Sequence, residues 1–257
     1  MRPLVAVRRA TAFDPNFLSR SPLFWPVVRA ATALGRLDDF PSVKALDGVF
    51  EGDPPVRFAP WFPPRKRRAP IDVRCLYDGR IAVDGVVPTR ERCWHDLMNA
   101  LVWGTFPRAK RAVHGRQHRA NVRRVPVDTT TLPPVRSSEL DALALVDEGG
   151  VVVLARDPAV ATRLLASRAR GALRALTMSN EAEALIFGHA IYESLALGTR
   201  PAVAAAVVID RGDPQINATT TADVGLAKAI DDDARFQSPR ELVRVDLSDI
   251  PTRVAER

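Results

Sequence analysis

The sequence predicts an α+β fold: one domain spanning residues 1–257, mainly helical, with two β-hairpins and a central apolar helix. Three observations lead there. Long segments repeat apolar residues at helical spacing. Two shorter segments alternate about glycine-containing turns. Helices and strands are segregated and do not alternate as βαβ units. At 257 residues, 46% hydrophobic and 26% charged, the chain has an ordinary globular balance and can bury a sizeable core.

In order along the chain, Phe13 to Leu37 starts with turn residues and continues as a helix. Ser21-Pro22 suits its start, and Pro26 falls early enough to be tolerated. Asp38 to Pro41 breaks it, and Ser42 caps a short helix. Residues 53–70 read as a Pro/Arg-rich linker, ending in the basic run Arg65 to Arg68. Ile71 to Val87 reads as a hairpin about Asp78-Gly79, with Asp84-Gly85 as a second turn.

Thr89 to His118 holds three of the four histidines and two of the four tryptophans. It divides into a helix from about Arg90 to Trp103 and a basic helix from Pro107 to Asn121. The first buries Trp94, Leu97, Met98, Leu101 and Val102. The second has a poor apolar stripe and reads as a surface element, with Lys110, His114 and His118 in line.

Val125 to Ser138 is a Pro/Thr-rich loop. A second hairpin is expected from Leu140–Val146 and Val151–Ala155, with Asp147 to Gly150 at its tip. Pro158 to Leu176 reads as a helix, and Glu181 to Leu197 as the central apolar helix. A strand at Ala202–Ile209, a helix at Thr221–Asp232 and a strand at Leu242–Leu247 complete the reading.

The net charge of +7 is unevenly spread: residues 1–130 carry 23 basic against 12 acidic residues, and the remainder 14 against 18. An anionic partner, a small molecule or nucleic acid, is therefore admitted. No nucleic-acid motif accompanies it, and aromatics are only 6%. Cys75 and Cys93 form no CxxC pair, and the N-terminus lacks the apolar run of a signal peptide. The longest apolar stretch, Pro201–Ile209, is too short to span a bilayer. The expectation is a cytoplasmic protein with no membrane segment.

The chemistry-bearing residues fall in three places. His95 and Asp96 sit on the first helix, with Arg90 at its start. Lys110 and His118 lie on the second. Asp147-Glu148 and His189 lie downstream. His189 falls inside an apolar face, where an imidazole needs a partner: Glu193 one turn on, or a backbone carbonyl. His95 could likewise be oriented by Glu91 or Asn99. No P-loop, dinucleotide turn or GxSxG elbow is present.

The strings WHDLMNALVWGTFPRAKRAVHGRQH, DALALVDEGG and FGHAIYE, in that order, resemble an uncharacterised bacterial domain-of-unknown-function family numbered 3025. The resemblance runs from about Phe13 to Val203 and transfers no activity. It implies that Trp94, His95, Asp96, Asn99, Lys110, His118, Asp147, Glu148 and His189 match the family motif. His114 stands where many members are expected to carry Asn.

The leading expectation is a metal-assisted hydrolase on a phosphorylated or otherwise anionic substrate. His95, His118 and His189 would bind a divalent metal, zinc foremost, or the substrate itself. Asp96 or Glu148 would be general base or orienter, and Lys110 and Arg90 would meet the anion. Two alternatives stand beside it: a structural or interaction protein whose polar motif is a buried network, and a basic nucleic-acid-binding protein.

Overall fold

The computed structural model describes residues 12–62, 69–199 and 203–250. Its α+β class agrees with the sequence, and most of its buried apolar side chains form one continuous cluster. Both termini and the basic run Arg65 to Arg68 lie outside the described residues.

The first segment is tighter than a regular helix. Two 3-10 turns, Phe17–Arg20 and Pro22–Val27, lead into α1 (Val28–Ala33). The Ser21 hydroxyl accepts from the Leu23 amide at 3.2 Å. Pro26 lacks an amide proton, so the α-helical ladder establishes itself only beyond it. Ser42 caps a third 3-10 segment, Val43–Val49, as expected.

The segment read as a linker contains a strand. β1 (Arg57–Pro60) pairs in parallel with β2 (Val86–Thr89), in register Arg57 to Val86. The hairpin expected over 71–87 is also corrected. A 3-10 turn (Val73–Cys75) leads into α2 (Tyr77–Asp84), which Gly85 ends at φ +63°. Gly79 marks a close approach, not a turn: a Cβ there would lie 2.3 Å from the Val73 carbonyl oxygen.

α3 (Trp94–Thr105) begins four residues later than Arg90, after Arg92 at φ +51°. α4 (Pro107–Arg124) starts with Pro107 at its first position, as the sequence indicates. It is not a surface helix. Lys110, His114, Arg116, Gln117 and Asn121 are all buried. The Arg116 guanidinium donates to the carbonyls of Ile230, Asp232 and Arg235 and to Glu139. Polar side chains anchor this helix because each finds a partner inside.

The second expected hairpin is a helix and a strand. α5 (Ser138–Gly149), capped by the Ser137 hydroxyl, buries Leu140, Leu143 and Val146 and runs directly into β3 (Gly150–Ala155). The next helix is split: α6 (Pro158–Ala166) and α7 (Ala172–Met178) are separated at Gly171, φ +74°.

The expected central helix is instead β4 (Ala182–Ile186) followed by α8 (His189–Ala196). β5 (Val203–Asp210), α9 (Ala218–Asp231) and β6 (Val243–Asp246) lie where the sequence places them. The larger sheet has order β4-β3-β5-β6. β3 runs parallel to β5, and the outer pairs are antiparallel.

Candidate active site

Two histidines from distant parts of the chain meet between α3 and α8. His95 Nε2 lies 3.0 Å from His189 Nε2, with the rings nearly perpendicular at 80°. His189 opens α8 because the chain leaving β4 is pressed onto the end of α5. The amides of Phe187 and Gly188 both donate to the Gly150 carbonyl, at 3.0 and 2.9 Å. A Cβ on Gly188 would fall 2.5 Å from the Glu148 carbonyl oxygen, so only glycine permits this approach.

Each imidazole is held from behind by oxygen. His189 Nδ1 is 2.7 Å from the Asp147 backbone carbonyl, and His95 Nδ1 is 3.0 Å from Glu193 Oε2. Glu193 thus orients His95, not the histidine one turn before it on its own helix.

The proton count follows from these partners. A carbonyl only accepts, so His189 donates from Nδ1. Burial pushes the His189 pKa down to about 3, with Lys110 and His95 adding to the effect and Asp147 opposing it. The neutral ring therefore has its lone pair on Nε2, and His95 Nε2 must donate to it.

Behind His189 lies a buried ion pair. Lys110 is fully buried, and its Nζ donates to Asp147 Oδ1 at 2.5 Å. Burial opposes ionisation of Asp147, yet the Lys110 ammonium, with His189 and His114, holds its carboxyl well below the usual carboxylate range. Lys110 is therefore shut away from any external anion.

The Lys110 Nζ also lies 5.7 Å from the Trp103 ring centre, and that ring stacks on His114. His114 Nδ1 faces Asp78 Oδ1 at 3.0 Å, and Asn99 donates to the Tyr77 hydroxyl at 3.3 Å.

The exposed end is different in character. Asp96 accepts from Arg90 Nε at 3.0 Å and from Nη2 at 2.8 Å, and also from the Arg90 backbone amide. Asp96 is thus an orienter of Arg90. The hydrogen bond to Asp96 raises the Arg90 pKa, and the Arg90 side chain stays 54% exposed. That leaves its remaining N–H groups to solvent. His95 is about one-third exposed.

Of the three histidines expected around a metal, two come together. His118 lies two turns beyond Lys110, about 12 Å along α4, and its Nδ1 has no hydrogen-bond partner. Among the described residues, no group of three or more His, Cys, Asp or Glu is arranged to hold a metal ion. Glu148 is exposed on the last turn of α5.

Sequence reasoning missed Tyr77 and Asp78, which it assigned to a hairpin, and Trp103 as the platform for Lys110. The available signal was spacing: Asn99 and Trp103 on one helix, and Lys110 and His114 on the next, each four apart.

A model of a family described as protein of unknown function, DUF3025, matches residues 65–257, about three quarters of the chain. The chain belongs to that family. The DUF3025 match contains every candidate site residue and leaves α1 and β1 outside it. It begins later than the residue-level resemblance and extends further. Neither the curated proteins nor the solved structures give a match. Among the described residues, no helix is long and apolar enough to cross a membrane.

Proposed function

We propose that the chain is a hydrolase acting on an anionic substrate, in the first place a phosphorylated one, at the partly exposed end formed by Arg90 and His95. The observation that carries this reading is the double tether of His95. One ring nitrogen meets a carboxylate and the other a neutral, buried histidine. Such a ring can give or take a proton while keeping its orientation. Arg90, charged and fixed by Asp96, supplies the anion-binding fork. Glu148 remains available as an exposed carboxylate, whereas Lys110 acts only through Asp147.

A divalent metal is the second reading, and one distance favours it. Two nitrogens sharing a tetrahedral zinc at about 2.05 Å stand about 3.3 Å apart, close to the 3.0 Å between His95 and His189. Their oxygen-bound Nδ1 atoms match the outer-shell support that ligating histidines use. His95 and His189 would hold the metal, with its other positions open.

The test uses untagged protein and p-nitrophenyl phosphate, with and without added zinc. Turnover should fall about 10²–10⁴-fold in His95→Ala, and Arg90→Met should raise KM. Zinc binding that disappears in His95→Ala supports the metal form. Turnover no faster than the uncatalysed reaction, with phosphate monoesters and diesters under both conditions, would sink the proposal.

Lys110 and Arg116 of the basic helix point inward, while Arg108, Arg111, Arg119 and Arg123 stay exposed on it, so a nucleic-acid surface stands as the last of the readings. The non-catalytic alternative draws on the same buried pairs, and the turnover assay separates it from the hydrolase.

A further inference from the structure

The junction of α2, α3 and α4 holds more polar chemistry than its protein partners satisfy. Lys110, Trp103, Asn99 and His114 are each at most 5% exposed. They form one cluster. Trp103 and His114 stack with centroids 5.7 Å apart and planes 11° from parallel. Tyr77 meets His114 edge-on at 5.6 Å, and Asn99 is tied to the Tyr77 hydroxyl. Lys110 lies against the Trp103 ring.

Within this cluster the Trp103 Nε1–H has no acceptor, and Asn99 Oδ1 and His114 Nε2 have no donor. His114 Nδ1 faces the Asp78 carboxylate, so in the neutral ring Nε2 is an acceptor. Lys110 uses one of its three N–H groups on Asp147.

Trp103 and His114 cannot satisfy each other directly. An indole N–H and an imidazole nitrogen form hydrogen bonds in their ring planes, and two stacked rings direct those atoms past each other. Buried donors and acceptors left apart cost stability, and native interiors pair nearly all of them. A bridging molecule must both donate and accept. The carboxylates of Asp78 and Asp147 at the two ends of the cluster exclude an anion. Water fits the requirement, since a buried water makes about three hydrogen bonds to otherwise unsatisfied groups.

We propose that the α2–α3–α4 junction is an interior binding site for ordered water, with Lys110, Trp103, Asn99 and His114 as its direct contacts. The bound water completes the coordination of the Lys110 ammonium. Lys110 is thereby held against the Asp147 carboxylate, and the Asp147 backbone carbonyl in turn holds His189. The site stands whether or not the chain is a hydrolase.

A crystal structure at a resolution that places individual waters tests this on the unaltered chain. Expected are discrete peaks about 2.7–3.2 Å from at least two of the four side chains. Side chains rotated to pair with one another, with no density between them, overturn the proposal. So does one continuous density larger than water, which makes this an organic ligand's site.

In solution, the Trp103 indole N–H should show a nuclear Overhauser contact to long-lived water. Trp103→Phe keeps the stacking ring and removes the donor, so it should abolish that cross-peak. An indole N–H assigned to Trp103 in this way but without the water contact also overturns the proposal.

Discussion

Lys110→Met removes one charge from the deepest part of the polar network and leaves the apolar stem in place. Lys110 is fully buried, and its ion-pair partner is Asp147, itself 7% exposed. Removing one member of a buried pair leaves the other as an uncompensated charge, which costs about 3–5 kcal/mol. That is a large share of a typical domain stability of roughly 5–15 kcal/mol. Most of the cost is the stranded carboxylate, so it should shrink when that charge is removed as well. The double variant Lys110→Met/Asp147→Asn is expected to be about 1–3 kcal/mol more stable than the sum of the single effects. Urea unfolding at pH 7, followed by circular dichroism, measures both terms if the m-value is unchanged. A loss below about 1 kcal/mol in Lys110→Met, or strict additivity in the double variant, would refute the reasoning: the pair would then behave as a solvated surface contact.

Three further outcomes follow from the same geometry. Gly188→Ala should destabilise by about 1–3 kcal/mol, because its Cβ meets the backbone of Glu148 and Gly150 and no side chain can move aside; a variant as stable as the parent in thermal unfolding contradicts the close approach. The folded-state pKa of His189, about 3, lies below its unfolded value of 6.5. Between those pH values the unfolded chain binds the extra proton, so stability should rise with pH across that window. The depressed Asp147 carboxyl acts in the same direction, its contribution being lost as pH falls. Urea midpoints from pH 3 to 8 should show the slope, and His189→Gln should flatten it; an unchanged slope counts against a neutral buried His189. Arg116→Met should cost about 2–5 kcal/mol, since it strands three backbone carbonyls at the end of α9 and the turn after it and leaves Glu139 with Arg123 alone; a neutral effect in calorimetry would show that those groups reach solvent.

The elements legible in the sequence were those whose signal is local. Ser21-Pro22 and Ser42 cap what they were expected to cap, Pro107 opens α4, and β5, α9 and β6 lie where their patterns put them. The failures came where one local signal serves two structures. Asp78-Gly79 has hairpin chemistry, but the glycine is needed for a backbone crossing and the aspartate for His114. Asp147 to Gly150 looks like a hairpin tip but closes a helix whose next residue already pairs with β5. The small apolar run Ala182 to Ile186 carries no decisive period, and pairing with β3 made it a strand.

The site was half legible for the same kind of reason. His189 stood out because an ionisable residue inside an apolar face demands a partner, and His95, Asp96, Lys110 and Asp147 through helical spacing and the family motif. Which partner each took was a tertiary matter. Two residues 94 apart in the chain meet at a single hydrogen bond, and Glu193 turns to a histidine on another helix. α4 was misjudged because a helix poor in apolar residues usually faces water; here ion pairs and carbonyl contacts from α2, α5 and α9 compensate its burial. The sequence alone determined the α+β class, the caps, the strongly periodic elements and the list of groups that must be partnered, because those depend on neighbours a few residues apart. Only the tertiary structure decided which groups pair, which histidines meet and which charges are buried, because those depend on how α3, α4, α5 and α8 pack.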